Sequence, residues 1–163
     1  MTIKCSFPPV ADARTRLLIL GSLPGEQSLA QSQYYANRQN AFWRLVGEVI
    51  DVDLAGQDYP TRIATLLEHQ IGLWDVVASA HRAGSLDSQI RNHTGNDIVG
   101  LTKTLPQLAA IAFNGGTAAK HGLKQLGANA NGYQIVQLPS SSPAYTLPFD
   151  QKLQAWKTLR QFM

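Results

Sequence analysis

Arg16-Leu17-Leu18-Ile19-Leu20 carries an unbroken apolar run that stops at Gly21-Ser22-Leu23-Pro24-Gly25. A run this short, closed by glycine, reads as a strand buried on both faces, the kind a parallel sheet contains. Three further segments read the same way: Gly72-Leu73-Trp74-Asp75-Val76-Val77, Leu108 to Phe113, and Tyr133 to Leu138. Between them the apolar period changes to that of a helix. Ala41 to Ile50 sets Phe42, Leu45, Val46, Val49 and Ile50 on one helical face. Thr61 is placed to cap a helix running through Ile63, Leu66 and Leu67. Asp97 to Leu105 is helical up to Pro106, Thr117 to Leu126 is helical up to Gly127, and Pro148 to Phe162 closes the chain as a helix. Strands alternating with helices predict an α/β fold, a three-layer αβα sandwich around a central four-stranded parallel sheet.

The composition agrees. A chain of 163 residues, 44% hydrophobic and 15% charged, is expected to form one domain over 1–163 with a core that needs no staple. The single cysteine, Cys5, excludes an intrachain disulfide and any four-cysteine zinc or iron–sulfur site. His69, His81, His93 and His121 show no helical-face pairing, so they read as surface or capping residues and no metal site is expected. Phosphate-loop, dinucleotide-turn and nucleophile-elbow motifs are absent from the sequence. No apolar run approaches the roughly 20 residues of a membrane helix. Met1 to Cys5 lacks a leader's apolar core, so a cytoplasmic location is expected. Residues 1–97 carry a charge balance of −2 and residues 98–163 one of +5, through Lys103, Lys120, Lys124, Lys152, Lys157 and Arg160 against Asp150. A basic half suits a polyanion, and equally a solvated helical surface.

In a parallel sheet ligands bind beyond the carboxyl ends of the strands. Those ends carry Gly21-Ser22-Leu23-Pro24-Gly25, Asp75, Asn114-Gly115-Gly116 and Pro139-Ser140-Ser141-Ser142-Pro143. Glycines admit close backbone approach, and the small polar residues supply donors and acceptors.

The first of these loops is followed by Tyr34-Tyr35-Ala36-Asn37-Arg38-Gln39-Asn40-Ala41-Phe42-Trp43. Together they resemble the uracil-DNA glycosylase superfamily: a Gly-x-x-Pro-Gly loop, an aromatic residue, then Asn-x-x-Asn-x-Phe-Trp. Leu138 to Ala144 is similar to the superfamily's second motif. Gly72 to Val77, Gly84-Ser85-Leu86-Asp87-Ser88 and Asn96-Asp97-Ile98 look most like the DNA-deoxyinosine (hypoxanthine-DNA) glycosylase branch. The resemblance runs from about Phe7 to the C-terminus. It implies a uracil-DNA glycosylase-like fold and a monofunctional glycosylase of base excision repair, hydrolysing the N-glycosidic bond of a flipped deaminated base, hypoxanthine first. It implies double-stranded DNA carrying that base as the partner, a monomer, and no metal or organic cofactor. Leu23 stands where the mismatch-specific branch has a water-positioning asparagine. The loop's acidic residue is missing unless Glu26 substitutes, and Leu138-Pro139-Ser140 replaces a second-motif histidine. In the deoxyinosine branch the catalytic residue is the asparagine of Asn-x-Phe-Trp, which here is Asn40.

Each residue carries two readings. Asn40 caps the following helix with its carbonyl, or turns that carbonyl into a pocket to hold water. Tyr35 packs in the core, or stacks on the extruded base. Phe42 and Trp43 read as core, with Trp43 bracing Asn40. Asp75 caps a turn or pairs with an arginine, or it reads the base edge or assists the water. Asn114 is a turn residue or hydrogen-bonds the base, beside backbone donors near Gly21 and Ser22. Ser140, Ser141 and Ser142 form an ordinary loop, or press on DNA phosphates. The alternatives are a uracil or mismatch-specific glycosylase, a non-catalytic nucleic-acid-binding module on the same scaffold, and a small-molecule hydrolase using Ser22.

Overall fold

The computed structural model describes residues 3–163; Met1 and Thr2, part of the stretch read above for a leader, lie outside the described residues. The strands are β1 (Ile3–Cys5), β2 (Leu17–Gly21), β3 (Ile71–Asp75), β4 (Val77–His81), β5 (Arg91–Gly95), β6 (Ala110–Asn114) and β7 (Gln134–Leu138). The helices are α1 (Glu26–Gln31), α2 (Phe42–Ile50), α3 (Tyr59–Glu68), α4 (Ile98–Lys103), α5 (Gly116–Leu126) and α6 (Phe149–Trp156).

Four strands form the expected parallel sheet, in the order β3-β2-β6-β7. All five residues of β2 and of β6 are buried, which is why these two strands read as unbroken apolar runs. Alternation along β2 divides the core. Leu17 and Ile19 pack with Phe42, Leu45, Leu66 and Trp156 on one face. Leu18 and Leu20 pack with Ile98, Ala118 and Leu126 on the other. The chain winds from β2 out to β3, then crosses to β6 on the opposite side. The order therefore reverses at β2, and the crevice beyond its carboxyl end is where such sheets bind ligands. The register Gly21↔Asp75 and Leu20↔Phe113 brings Gly21, Asp75 and Asn114 to one level at that crevice.

Local expectations are corrected in places. Asp58, not Thr61, caps α3: its carboxylate accepts the Thr61 N–H at 2.9 Å, with Pro60 in the first turn. The closing helix ends at Trp156 and continues to Phe162 as 3₁₀ turns. The segment read as one strand through Val77 divides at Val76. Its second part, β4, joins an antiparallel sheet in the order β1-β4-β5 that the sequence reading did not anticipate. β5 is exposed along its whole length, β1 has only three residues, and burial along β4 falls at Val77 and Ala80 without alternation, so none carries a hydrophobic period. Among the described residues no helix is long and apolar enough to cross a membrane.

α5 lies so close to β6 that a Cβ at Gly122 would collide with the fully buried ring of Phe113. Glycine to alanine within a helix normally gains up to about 1 kcal/mol. Here overpacking reverses the sign. Gly122→Ala is expected to lose about 1–3 kcal/mol in urea unfolding.

Candidate active site

A cavity of about 580 Å³ opens at the crevice, lined by Gly21, Ser22, Tyr35, Asn40, Asp75 and Asn114, by the segment 85–88 and by the serine loop. All nine residues expected at the site border this one space.

Gly21 sets its floor. A Cβ there would lie 2.6 Å from Asp75 Oδ1 and 2.8 Å from the Tyr35 hydroxyl, so only glycine lets both side chains converge on this backbone. Asp75 is 4% exposed, and its Oδ2 has no hydrogen-bond partner among the described residues. Burial, reinforced by repulsion from Asp87 and opposed by Arg82, pushes its pKa up to about 7. The capping and ion-pairing readings of Asp75 find no supporting hydrogen bond or salt bridge among the described residues.

Tyr35 adopts a left-handed backbone, φ 53°, uncommon for a bulky residue. Its ring stacks on Phe42 at 3.8 Å between centroids and 14° between planes. One face of Tyr35 is therefore core, leaving a single face for any ligand. The indole N–H of Trp43 donates to the carbonyls of Tyr34 and Tyr35, each at 3.2 Å. Trp43 thus braces the tyrosine turn, not Asn40 as expected.

Asn40 Oδ1 accepts the Phe42 N–H at 3.0 Å, while Ala41 is the helix N-cap residue. The carbonyl is turned to its own backbone, which corrects the expectation that a catalytic amide leaves it free. Two features remain available on the cavity side. The oxygen retains a second lone pair, and the Nδ2 group makes no hydrogen bond among the described residues.

Asn114 is 8% exposed and already engaged. Its Oδ1 accepts the Ser141 N–H at 2.9 Å, and its Nδ2 donates to Ser141 Oγ at 2.9 Å and to the Tyr35 hydroxyl at 3.2 Å. Ser141 is 1% exposed, with its hydroxyl turned inward, so it is not a phosphate contact. Ser140 and Ser142 are half-buried on the rim. Beneath them Lys152 donates to the Ser142 carbonyl at 3.0 Å, and the Trp156 indole donates to Pro139 O at 2.9 Å.

The sequence reading missed Arg82. It is 1% exposed and donates to the carbonyls of Gly84, Leu23 and Pro24. Lys4 ties Glu26 to the Gly84 carbonyl, so Glu26 is held in an ion pair. Ser22 donates to Asp87 Oδ1 at 2.6 Å, and among the described residues it has no histidine partner. The arrangement gives the hydrolase reading no histidine base, only the Asp87 carboxylate. Leu23 turns into the core at 6% exposure. The rings of His93 and His121 meet edge to face, 4.4 Å apart, a pairing that their spacing concealed. Among the described residues no group of three or more metal-ligating side chains gathers.

The family model described as the Uracil DNA glycosylase superfamily matches residues 8–160. The chain belongs to this superfamily. Within it, one relative from Methanosarcina acetivorans is 44% identical over 142 residues, 87% of this chain and 88% of its own length. A second, from Methanosarcina barkeri, is 39% identical over 153 residues, 94% of this chain and 95% of its own. Both are named hypoxanthine DNA glycosylase. A solution NMR structure from Methanosarcina acetivorans, described as a candidate uracil DNA glycosylase, superposes with a TM-score of 0.87 at 40% identity, covering 99% of both chains. The superfamily fold and the three-layer α/β architecture read from the sequence are thereby shown.

Asp75 has a consequence for stability. Between its ordinary value near 3.8 and about 7 the folded protein holds a proton that the unfolded chain has released. Stability contributed by this site therefore falls as pH rises through that window. Asp75→Asn is expected to match the parent near pH 4 and to exceed it by roughly 1–4 kcal/mol at pH 8. Urea titrations at the two pH values measure the difference.

Proposed function

We propose that this chain is a monofunctional DNA glycosylase of base excision repair, acting as one unit over residues 1–163. It hydrolyses the N-glycosidic bond of a deaminated base, hypoxanthine, in double-stranded DNA. The names of the two Methanosarcina relatives support the base and the reaction. The observation that carries the reading is the meeting of Asn40, Tyr35, Asp75 and the serine loop around one cavity at the sheet's reversal point.

The glycosidic bond is out of reach inside a duplex, so the nucleotide leaves the stack and its base enters the cavity. The free face of Tyr35 supports the base. Ser140 and Ser142, with Lys152 behind them, receive the flanking phosphates. The Phe42 N–H fixes the plane of the Asn40 carboxamide, and the second lone pair of Oδ1 accepts a hydrogen from water. That water's oxygen forms the new bond to the anomeric carbon. The electron pair of the broken C–N bond leaves with the base, and the water's proton neutralises the departing base through solvent. Gly21 and Ser22 border the base, and the Asn114 amide reaches it by exchanging its longer contact, the 3.2 Å bond to Tyr35. Among the described residues no lysine lines the cavity, so the reading ends at base release without a strand-cleaving step. The protein works as a monomer in the cytoplasm and needs no cofactor beyond water.

Asn40 has two duties that substitution separates. Asn40→Ser keeps an acceptor for the Phe42 N–H but removes the amide, whereas Asn40→Ala removes both. Both variants are expected to lose about 10²–10⁴-fold in single-turnover hypoxanthine release. Only Asn40→Ala is expected to lose thermal stability, by about 0.5–1.5 kcal/mol, the worth of that one hydrogen bond. Full activity in Asn40→Ser would reduce Asn40 to an acceptor for the Phe42 N–H. Running uracil and xanthine duplexes beside inosine settles the preferred base.

A further inference from the structure

Asp75 is the one buried side-chain oxygen site left without a partner among the described residues, and it borders the cavity. Its carboxyl is wedged beside Gly21, at 4% exposure, where water cannot serve it freely. We propose that Asp75 meets the flipped base as a neutral carboxylic acid whose O–H donates to a keto oxygen of the base. This deepens the glycosylase reading and rests on it.

The charged neighbours decide which carboxyl holds the proton. Asp87 faces Asp75 from the segment 85–88, and its anion is served by the Ser22 hydroxyl at 2.6 Å and by Arg82 at 3.9 Å. Arg82, just beyond β4, gives its N–H groups to the carbonyls of Leu23, Pro24 and Gly84 and makes no hydrogen bond to Asp75. Tyr34 and Tyr35, from the turn before α2, have hydroxyls held neutral by burial. Of two carboxyls that repel each other, the one without donors takes the proton. Burial raises the pKa of both carboxyls; at Asp87 the Ser22 hydrogen bond and Arg82 oppose it, whereas Asp75 has no hydrogen-bond donor and is pushed to about 7. An O–H there finds no protein acceptor among the described residues, and a ligand's keto oxygen would supply one.

The donor sorts bases chemically. A deaminated base presents a keto oxygen where its parent carries an amino group. A fixed O–H donates to the first and opposes the second, and a site with a buried unpaired donor discriminates strongly between them. The same hydrogen bond strengthens as the base gains negative charge, so it assists departure. Asp87 is a positioning residue here, acting through Asp75.

The test is the pH profile of single-turnover hypoxanthine release from an inosine duplex between pH 5.5 and 8.5. The full chain is compared with Asp75→Asn, which keeps a donor at every pH, and Asp75→Leu, which has none. The parent rate is expected to fall about tenfold per pH unit once Asp75 ionises, at or above about 7. Asp75→Asn is expected to show no such fall, and Asp75→Leu to run at least about 10²-fold below the parent's low-pH rate with no fall of its own. The substrate titrates identically in all three, so a difference in profile belongs to residue 75. A flat parent profile, a decline in Asp75→Asn matching the parent's, or a parent-like rate in Asp75→Leu overturns the inference and leaves the glycosylase reading standing. No release by the parent at any pH overturns both.

Discussion

Ser141 ties together three segments that are far apart in the chain. Its N–H and hydroxyl exchange hydrogen bonds with the Asn114 amide at the end of β6, and its carbonyl accepts the Ala41 N–H at the start of α2. All of this is buried, so each bond left unmade would cost about 1–3 kcal/mol. The position of Asn40 follows from this joint, because Asn40 precedes the residue that Ser141 holds. Tyr35 follows too, through the second hydrogen of Asn114 and the stack on Phe42. The cavity walls from β6, α2 and the serine loop are therefore one connected assembly.

The opposite wall has its own support. The antiparallel sheet carries Lys4 and leads into Arg82, and these two cations hold the loop after β2 by its carbonyls and by Glu26. Ser85 adds a cap by accepting the Glu26 N–H at 2.8 Å. A buried guanidinium is expensive unless its donors are satisfied. Arg82 meets that condition with backbone acceptors and with Asp87. The small second sheet thus positions the first motif and the carboxylate that faces Asp75.

The parallel sheet was legible because its strands are buried on both faces, and burial writes itself into local hydrophobic runs. Gly21, Asp75 and Asn114 could be gathered from strand ends for the same reason. The antiparallel sheet was not legible: exposed Arg91-Asn92-His93-Thr94-Gly95 has no period to read. Arg82 looked like any surface arginine, since its burial depends on carbonyls 58 and 59 residues away. The three serines were indistinguishable in sequence. Only the tertiary partner Asn114 sends Ser141 inward and leaves Ser140 and Ser142 on the rim. The Asn40 amide shows the same limit. Its type and place were readable, but the direction of its carbonyl was set by the Phe42 N–H beside it.

The account turns on a nucleobase occupying this cavity. A crystal structure of the Asn40→Ala variant on an inosine duplex examines that directly. The account predicts an intact inosine turned out of the helix, its base on the free face of Tyr35 and within hydrogen-bond reach of Asp75. An inosine still stacked in the duplex, with the protein bound through another surface, would contradict it.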